Sequence, residues 1–453
     1  MAKRKKKRME ARPVLEPNAA GIDVGARQMF VAVTPEKDAD PVRIFDAFTE
    51  DLEKLAEWLK QCGVTTVAME STGVYWIPLY EILERRGLQP RLVDARHMKN
   101  VPGRRTDWQE CQWIQYLHSV GLLREAFRPD DEVCAVRALM RHRQGLGEMA
   151  AQHVQHMQKA LTQMNVQIHH VINDLTGLTG MAIVDAIVQG ERDASKLAQL
   201  RDPRIKASPE TIRKSLVGNW RAEHLFTLRQ SRDLYRTYQR QIEACDQEIE
   251  KLLHQTPPRV DPDTKPLPPD KNPKSHTKIL PDSTFNMRTE AYKLFGVDLT
   301  QVPGLARNIL ALYSEIGRDT SRWATAGHFT SWLTLCPDND VSGGRVLWRG
   351  MRHHKNRAAK IFRLAAYGLH RSQSLLGDYL RRMKAKLGPA AAITATARKI
   401  AVIFYTMVKN QVEYDETKWL RLDTQRQARI ENKLRRQAQR MGFRLVSIEE
   451  SAL

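Results

Sequence analysis
Four acidic residues stand where a phosphodiester-transfer site would need them: Asp23, Glu70, Asp107 and Glu110. Cutting or rejoining a phosphodiester requires charge to be neutralised on the non-bridging oxygens and on the leaving oxygen. Two Mg²⁺ ions about 4 Å apart do this when Asp and Glu oxygens hold them. Carboxylates for such a site come from separate elements and converge. Asp23 closes a β-type run, Ala-Ala-Gly-Ile-Asp-Val, beside Gly25. Glu70 closes a second apolar run. Asp107 and Glu110 are three apart, so on a helix they share a face. Clustered without a cation, the four would repel one another and raise each other's pKa. The pair Asp107 and Glu110 alone also fits a helix N-cap and its capping box. A second chemical candidate is Ser342, in Asp-Val-Ser-Gly-Gly, followed by Arg345, Arg349, Arg352 and Lys355. These cations suit phosphate oxygens. A serine hydroxyl is a poor nucleophile without a base or a metal, and no base is adjacent in sequence.

Elements must bring these side chains together. Residues 19–24, 29–34 and 42–47 read as strands, and 49–61 as a helix with Leu52, Leu55, Ala56 and Leu59 on one face. Residues 64–69 read as a strand ending at Glu70, 76–86 as a helix stopped by Gly87, and 88–93 as a strand. Residues 107–120 read as a helix with Trp113, Ile114 and Leu117 toward the core. The order β-β-β-α-β-α-β-α is that of an RNase H-like, RuvC-like α/β domain over residues 17–130. Residues 1–16 read as a flexible basic arm. Residues 131–255 read as helical. Leu228, Tyr235, Ile242 and Ile249 recur every seven residues, with Tyr238, Cys245 and Leu252 on the other seam, which predicts a short coiled coil; the narrow seam and charged flanks favour self-association over a helix packing within its own domain. The Pro-rich stretch 256–285 reads as a linker or mobile loop. Residues 286–410 form a second, mostly helical domain bearing Ser342, with helices at 308–316, 358–374 and 391–408. Residues 411–453 form a basic helical tail with a strand at 443–448.

Bulk properties narrow the partners. The chain has 453 residues with formal net charge +20, a pI near 9.8 and mean hydropathy −0.50. Clustered Lys and Arg displace counterions from a phosphate backbone, so nucleic acid is the expected partner. No apolar run is expected to span a bilayer, and the Lys/Arg cluster at 1–8 has no apolar stretch behind it as a secretory signal would. Five widely spaced cysteines without a C-x-x-C pair argue for a reducing cytoplasm and against a disulfide framework or zinc ribbon. His153, His156, His169 and His170 lack a matching ligand set. Of the tryptophans, Trp348 among arginines is the best candidate for stacking on a base. Val302-Pro303-Gly304-Leu305 fits either a phosphate-binding turn or a plain helix start.

At these residues the chain resembles the DEDD transposases of the insertion-sequence-110 family, the bridge-RNA-guided recombinases. The N-terminal markers are Gly-Ile-Asp-Val-Gly at 21–25, Met-Glu-Ser-Thr-Gly-Val-Tyr-Trp at 69–76, the run at 94–107 ending Gly-Arg-Arg-Thr-Asp, and Gly-Leu-Leu at 121–123. The C-terminal markers are Val-Pro-Gly at 302–304, Glu-Ile-Gly at 315–317, Ser-Trp-Leu at 331–333 and Ser342-Gly343. The resemblance implies that Asp23, Glu70, Asp107 and Glu110 are the acidic quartet, and that Ser342 joins covalently to a DNA strand end. It implies a structured RNA that pairs with donor and target DNA. Arg104, Arg105, Arg345, Arg349, Arg352 and Lys355 are, by their charge, the candidates for contacting nucleic acid. The resemblance also implies a homo-oligomer, a dimer assembling to a tetramer, in which the acidic domain of one subunit serves the serine of another. The family usually has Asp where this chain has Glu110, and often Lys where it has Arg345. The alternative on the residues alone is a RuvC-like, Mg-dependent nuclease that hydrolyses, with Ser342 structural. A further one is a nucleic-acid-binding protein made inactive by Glu110.

Overall fold
Near-continuous burial along β1 (Ala19–Val24) and β4 (Thr66–Glu70), as in strands covered on both faces, marks the centre of the first unit, residues 1–128. The structure is a computed structural model that describes residues 13–71, 73–93, 106–270, 286–348, 350, 356–416, 432 and 434–443. β2 (Gln28–Ala32) and β3 (Val42–Asp46) continue the sheet on one side of β1, and β5 (Gln89–Val93) completes it beyond β4. The strand order is β3-β2-β1-β4-β5. β1, β2 and β3 are antiparallel neighbours, whereas β4 runs parallel to β1 and to β5. α1 (Thr49–Gln61) and α2 (Trp76–Arg85) follow β3 and β4, and α3 (Asp107–Ser119) comes after β5. This five-stranded mixed sheet with its helices is compatible with an RNase H-like domain.

Each strand presents alternate residues to opposite faces. Ala20, Ile22, Val24, Val67 and Met69 pack with Leu52, Leu55, Leu59, Leu79 and Leu83 in one core, under α1 and α2. The other face carries Ala68 and Val93 against Ile114 of α3, and Ala32, Val42 and Phe30 against Cys111 of α3. The sheet is therefore covered on both sides, with α3 across β1. Residues 1–12 of the expected basic arm lie outside the described residues. Leu15 and Glu16, which it was expected to include, are pinned: their amides both donate to the Ser119 carbonyl, at 2.8 and 2.9 Å.

The second unit, residues 129–453, is mostly helical. α4 (Asp131–Gln163) and α8 (Ala222–Gln255) are its long helices; α5 (Leu178–Gln189), α6 (Ala194–Gln199) and α7 (Pro209–Ser215) lie between them in sequence. Arg143 meets Asp246, and His153 stacks on Tyr238, so α4 and α8 run antiparallel. This pairing fills the seam within the chain, the packing that the sequence left open beside self-association. Leu228, Ile242, Cys245 and Ile249 are buried within the chain. A heptad stripe specifies an apolar seam but not whose helix fills it. The Arg143 guanidinium grips Asp246 at 2.6 and 3.0 Å, and Asp246 is wholly buried.

The remaining helices gather around α14 (Pro389–Asn410). They are α9 (Met287–Phe295), α10 (Ile309–Ile316), α11 (Ala326–Trp332), α12 (Arg357–Tyr367) and α13 (Leu375–Leu387). Phe404 of α14 sits 5.7 Å, centroid to centroid, from both Phe295 and Phe362, and stacks with Phe329 at 6.1 Å. Three expectations are corrected here. α14 is long and apolar enough to cross a membrane by length and composition, contrary to the sequence reading, yet 56% of its most apolar window is buried in this helical core. The helix expected over 358–374 ends at Tyr367, and Ser374 caps a second one by accepting from the Gly377 amide. The Pro-rich stretch is not a free linker over 256–270. Arg259 N–H donates to the Lys293 carbonyl (2.7 Å), Lys265 Nζ to the Gly296 carbonyl (3.0 Å), and Arg288 to the Pro268 carbonyl (2.6 Å). Residues 271–285 lie outside the described residues, as does most of the expected tail, of which residues 434–440 are helical.

Asp246→Ala would leave the Arg143 charge without its partner in the α4–α8 seam. The expected loss is about 3–5 kcal/mol by urea melting. The double change Arg143→Met with Asp246→Leu should recover most of it.

Candidate active site
Asp23 and Glu70 lie on the α3 face of the sheet by strand alternation: their neighbours Ile22 and Met69 belong to the opposite core. The β1–β4 register pairs Ile22 with Met69, so one step further along the parallel ladder sets Asp23 beside Glu70. Beyond Glu70, the Ser71 amide and hydroxyl both donate to the Val93 carbonyl, at 3.2 and 3.0 Å. This fastens the end of β4 to β5.

α3 reaches the same spot because Gly21 has no side chain. A Cβ at Gly21 would lie 2.2 Å from the Gln115 amide nitrogen and 2.5 Å from the Cys111 carbonyl oxygen. The helix backbone thus rests directly on β1. Gln115 Nε2 adds a hydrogen bond to the Ala19 carbonyl (3.3 Å), and His118 Nε2 lies 3.0 Å from the Thr66 hydroxyl. The first turn of α3 then projects past the end of β1. Its N-cap is Thr106, and the capping box closes through Gln109, whose side chain accepts from the Thr106 amide at 3.4 Å. The alternative in which Asp107 is the cap and Glu110 its box partner is thereby excluded. Neither carboxylate makes the cap.

Oxygens of Asp23, Asp107 and Glu110 all lie within 4.8 Å of one another. Among the described residues this is the only group of three or more acidic, His or Cys side chains so disposed. Glu70 is not one of the three, but its charge is felt at Asp23. Burial, then Glu110, Asp107 and Glu70 in that order, push the Asp23 carboxyl up to about 7 from an ordinary 3.8. Three carboxylates held this close against their repulsion fit a hard divalent cation, whose charge would reverse the sign of the interaction. Cys111, beside them, is fully buried, donates to the Trp108 carbonyl (3.1 Å), and has its thiol pushed up to about 12 by burial. It packs and does not ligate.

Ser342 is not in a plain loop. It ends β6 (Asp340–Ser342), which pairs with β7 (Arg345–Trp348) across the two-residue turn Gly343-Gly344. Both glycines have positive φ, 55° and 78°, which a tight hairpin of this length demands. The register sets Ser342 directly opposite Arg345, so their side chains share a face of the hairpin. Both are exposed, as are Val341, Val346, Leu347 and Trp348. Among the described residues no base hydrogen-bonds the Ser342 hydroxyl. Arg104, Arg105, Arg349, Arg352 and Lys355 lie outside the described residues. The alternation Val341, Val346 around Gly-Gly was the available signal for this hairpin. Gly21 and Gln109 carried no chemical signal and were missed.

Two family models match the chain. A model of DEDD transposases of the IS110 type matches residues 20–166, which span all the acidic residues. A model described as transposase of the IS116/IS110/IS902 family matches residues 298–380, which span Ser342. Together they cover about half of the chain, in the expected order. The chain belongs to the IS110 family of transposases. No curated protein matches it. Its family makes this transposase a DNA-processing enzyme, and the DEDD class accords with divalent-metal use at the Asp23, Asp107 and Glu110 cluster.

The metal-free transposase should lose stability as pH rises from about 4 to about 7. The folded state holds the Asp23 proton more tightly than the unfolded chain does, and that advantage vanishes above the folded pKa. Thermal melts in chelator at pH 5 and pH 8 check this: the fall between them should be clearly smaller in Asp23→Asn.

Proposed function
We propose that this transposase cuts and rejoins donor and target DNA through a covalent serine–DNA intermediate on Ser342, at sites chosen by a bound structured RNA. The observation that carries the reading is the convergence of Asp23, Asp107 and Glu110 within 4.8 Å, with Glu70 beside Asp23. In this reading the four carboxylates hold Mg²⁺, most simply two ions, which neutralise the phosphate and the leaving oxygen. The Ser342 hydroxyl attacks phosphorus and gives up its proton. A serine–phosphorus ester forms, and the phosphorus bond to the leaving strand oxygen breaks, that oxygen taking a proton. Attack by a new strand hydroxyl reverses the step and frees the serine. One phosphoester replaces another throughout, so no energy source is required. Arg345, opposite Ser342, is positioned to meet the phosphate charge.

The exposed Ser342 has no base bonded to it among the described residues, so another group must accept its proton. We propose that the acidic domain of a second subunit supplies the rest of the site, in a homo-oligomer. The same exposure favours the second reading, a Mg-dependent nuclease in which water attacks and Ser342 is structural.

Protein, Mg²⁺, RNA from the flanks of the element and labelled DNA are incubated and run on a denaturing gel. The reading predicts a protein-linked DNA band that is absent in Ser342→Ala and in Asp23→Asn. Mixing those two inactive variants should restore part of the band, because a mixed oligomer retains one intact site. Nicked DNA without an adduct, persisting in Ser342→Ala, would establish the hydrolytic nuclease instead.

A further inference from the structure
A cavity of about 830 Å³ lies inside the second unit, between α4, α10 and α12. Its two walls are electrically unlike. On the α4 side, Arg141 is bidentate to Glu315 (3.1 and 2.9 Å) and Arg143 to Asp246. Those two cations are neutralised, and Glu148, bonded to the neutral Gln144, adds a negative charge to that wall. On the α12 side, Arg357, Lys360 and Arg363 line the cavity, and none has a carboxylate partner among the described residues. Their placement is fixed by the core: Ala358, Ala359, Phe362, Ala365 and Ala366 are the buried face of α12. Burial weakens the hold of Arg363 on its proton, the direction expected for a cation drawn from water without a counter-charge. The α12 wall therefore presents three positive charges without a paired carboxylate among the described residues, with Asn308 and Asn356 alongside, whose amides already donate to the Gly304 and Trp332 carbonyls.

We infer that this groove binds a single-stranded stretch of nucleic acid, taking successive backbone phosphates on Arg357, Lys360 and Arg363. The inference rests on the transposase reading and deepens it, because strand exchange exposes unpaired strands. The spacing suits the ligand. Three helical residues advance about 4.5 Å, within reach of neighbouring phosphates for long side chains. A groove closed on one side by α4 favours a strand over a duplex. An acidic peptide offers charge too, but its carboxylates are on flexible side chains, and in a chain of net charge +20 a polyanionic backbone is the favoured occupant.

The test measures binding of labelled single-stranded DNA, single-stranded RNA, duplex DNA and a poly-glutamate peptide to the full chain and to the triple variant Arg357→Gln, Lys360→Gln, Arg363→Gln, from about 0.05 to 0.3 M salt. The triple variant should bind single strands at least tenfold more weakly, with a salt slope smaller by about 2, since each single-strand phosphate contact carries about 0.7. Duplex binding should change less. The DNA and RNA arms tell which strand the groove takes. Arg363→Lys in place of Arg363→Gln should regain part of the slope, and a melting temperature equal to wild type excludes misfolding. Unchanged single-strand affinity and slope would overturn the inference. So would an equal loss on duplex, or a loss confined to poly-glutamate. Failure of wild-type protein to form an adduct refutes the serine-intermediate reading, whereas an unaltered triple variant refutes the groove alone.

Discussion

The closeness of α3 to β1 is the contact on which the acidic site depends. Carboxylates repel, and no carboxylate cluster assembles itself. Here the backbone does the assembling: Gly21 lets the helix lie on the strand at Cys111 and Gln115, and Gln115 and His118 tie it to β1 and β4. Asp107 and Glu110 are then carried to Asp23 whether or not their charges favour it. The strain of that gathering appears in Asp23, pushed up to about 7. Packing on the apolar faces offsets it, and a bound cation would relieve it. Thr106 and Gln109 cap the helix, so neither acidic side chain is spent on the cap.

The second unit solves a different problem, holding many basic residues on a helical frame. The antiparallel pairing of α4 and α8 buries a heptad seam and locks it with the Arg143–Asp246 pair. The aromatic core around Phe404 fixes α12 and α14. Because α12 is held by its alanines and Phe362, its charged flank cannot turn away to find acidic partners. Its cations stay directed at an open groove. The serine hairpin, in contrast, leaves Val341, Val346, Leu347 and Trp348 exposed around Ser342.

The element order of the first unit was legible because period-2 and period-3.6 patterns were strong and the turns carried glycine. Asp23 and Glu70 stood out because a carboxylate ending an apolar strand is unusual without a purpose. Other features left weaker traces. The contact at Gly21 depends on an absent side chain, which composition does not flag. The capping box could be drawn through Glu110 or Gln109, and only geometry chose Gln109. A heptad on α8 could not say that α4 would fill it. The proline-rich stretch looked unstructured because its hydrogen bonds reach distant residues, the Arg259 amide to Lys293 and the Lys265 ammonium to Gly296. The hairpin at Ser342 was short enough to be taken as a loop. The two family matches lie over the segments whose motifs were plainest.

The central claim is that Asp23, Asp107 and Glu110 form a cation site. Calorimetric titration of Mg²⁺, with Mn²⁺ as a tighter-binding probe, into the full chain near pH 7 tests it most directly. The account predicts saturable binding that releases protons, seen as a heat that varies with the ionisation enthalpy of the buffer, because Asp23 is partly protonated there. Binding should be lost or weakened at least tenfold in Asp107→Asn and Glu110→Gln. Equal binding by wild type and both variants, or no saturable binding by wild type, would contradict it.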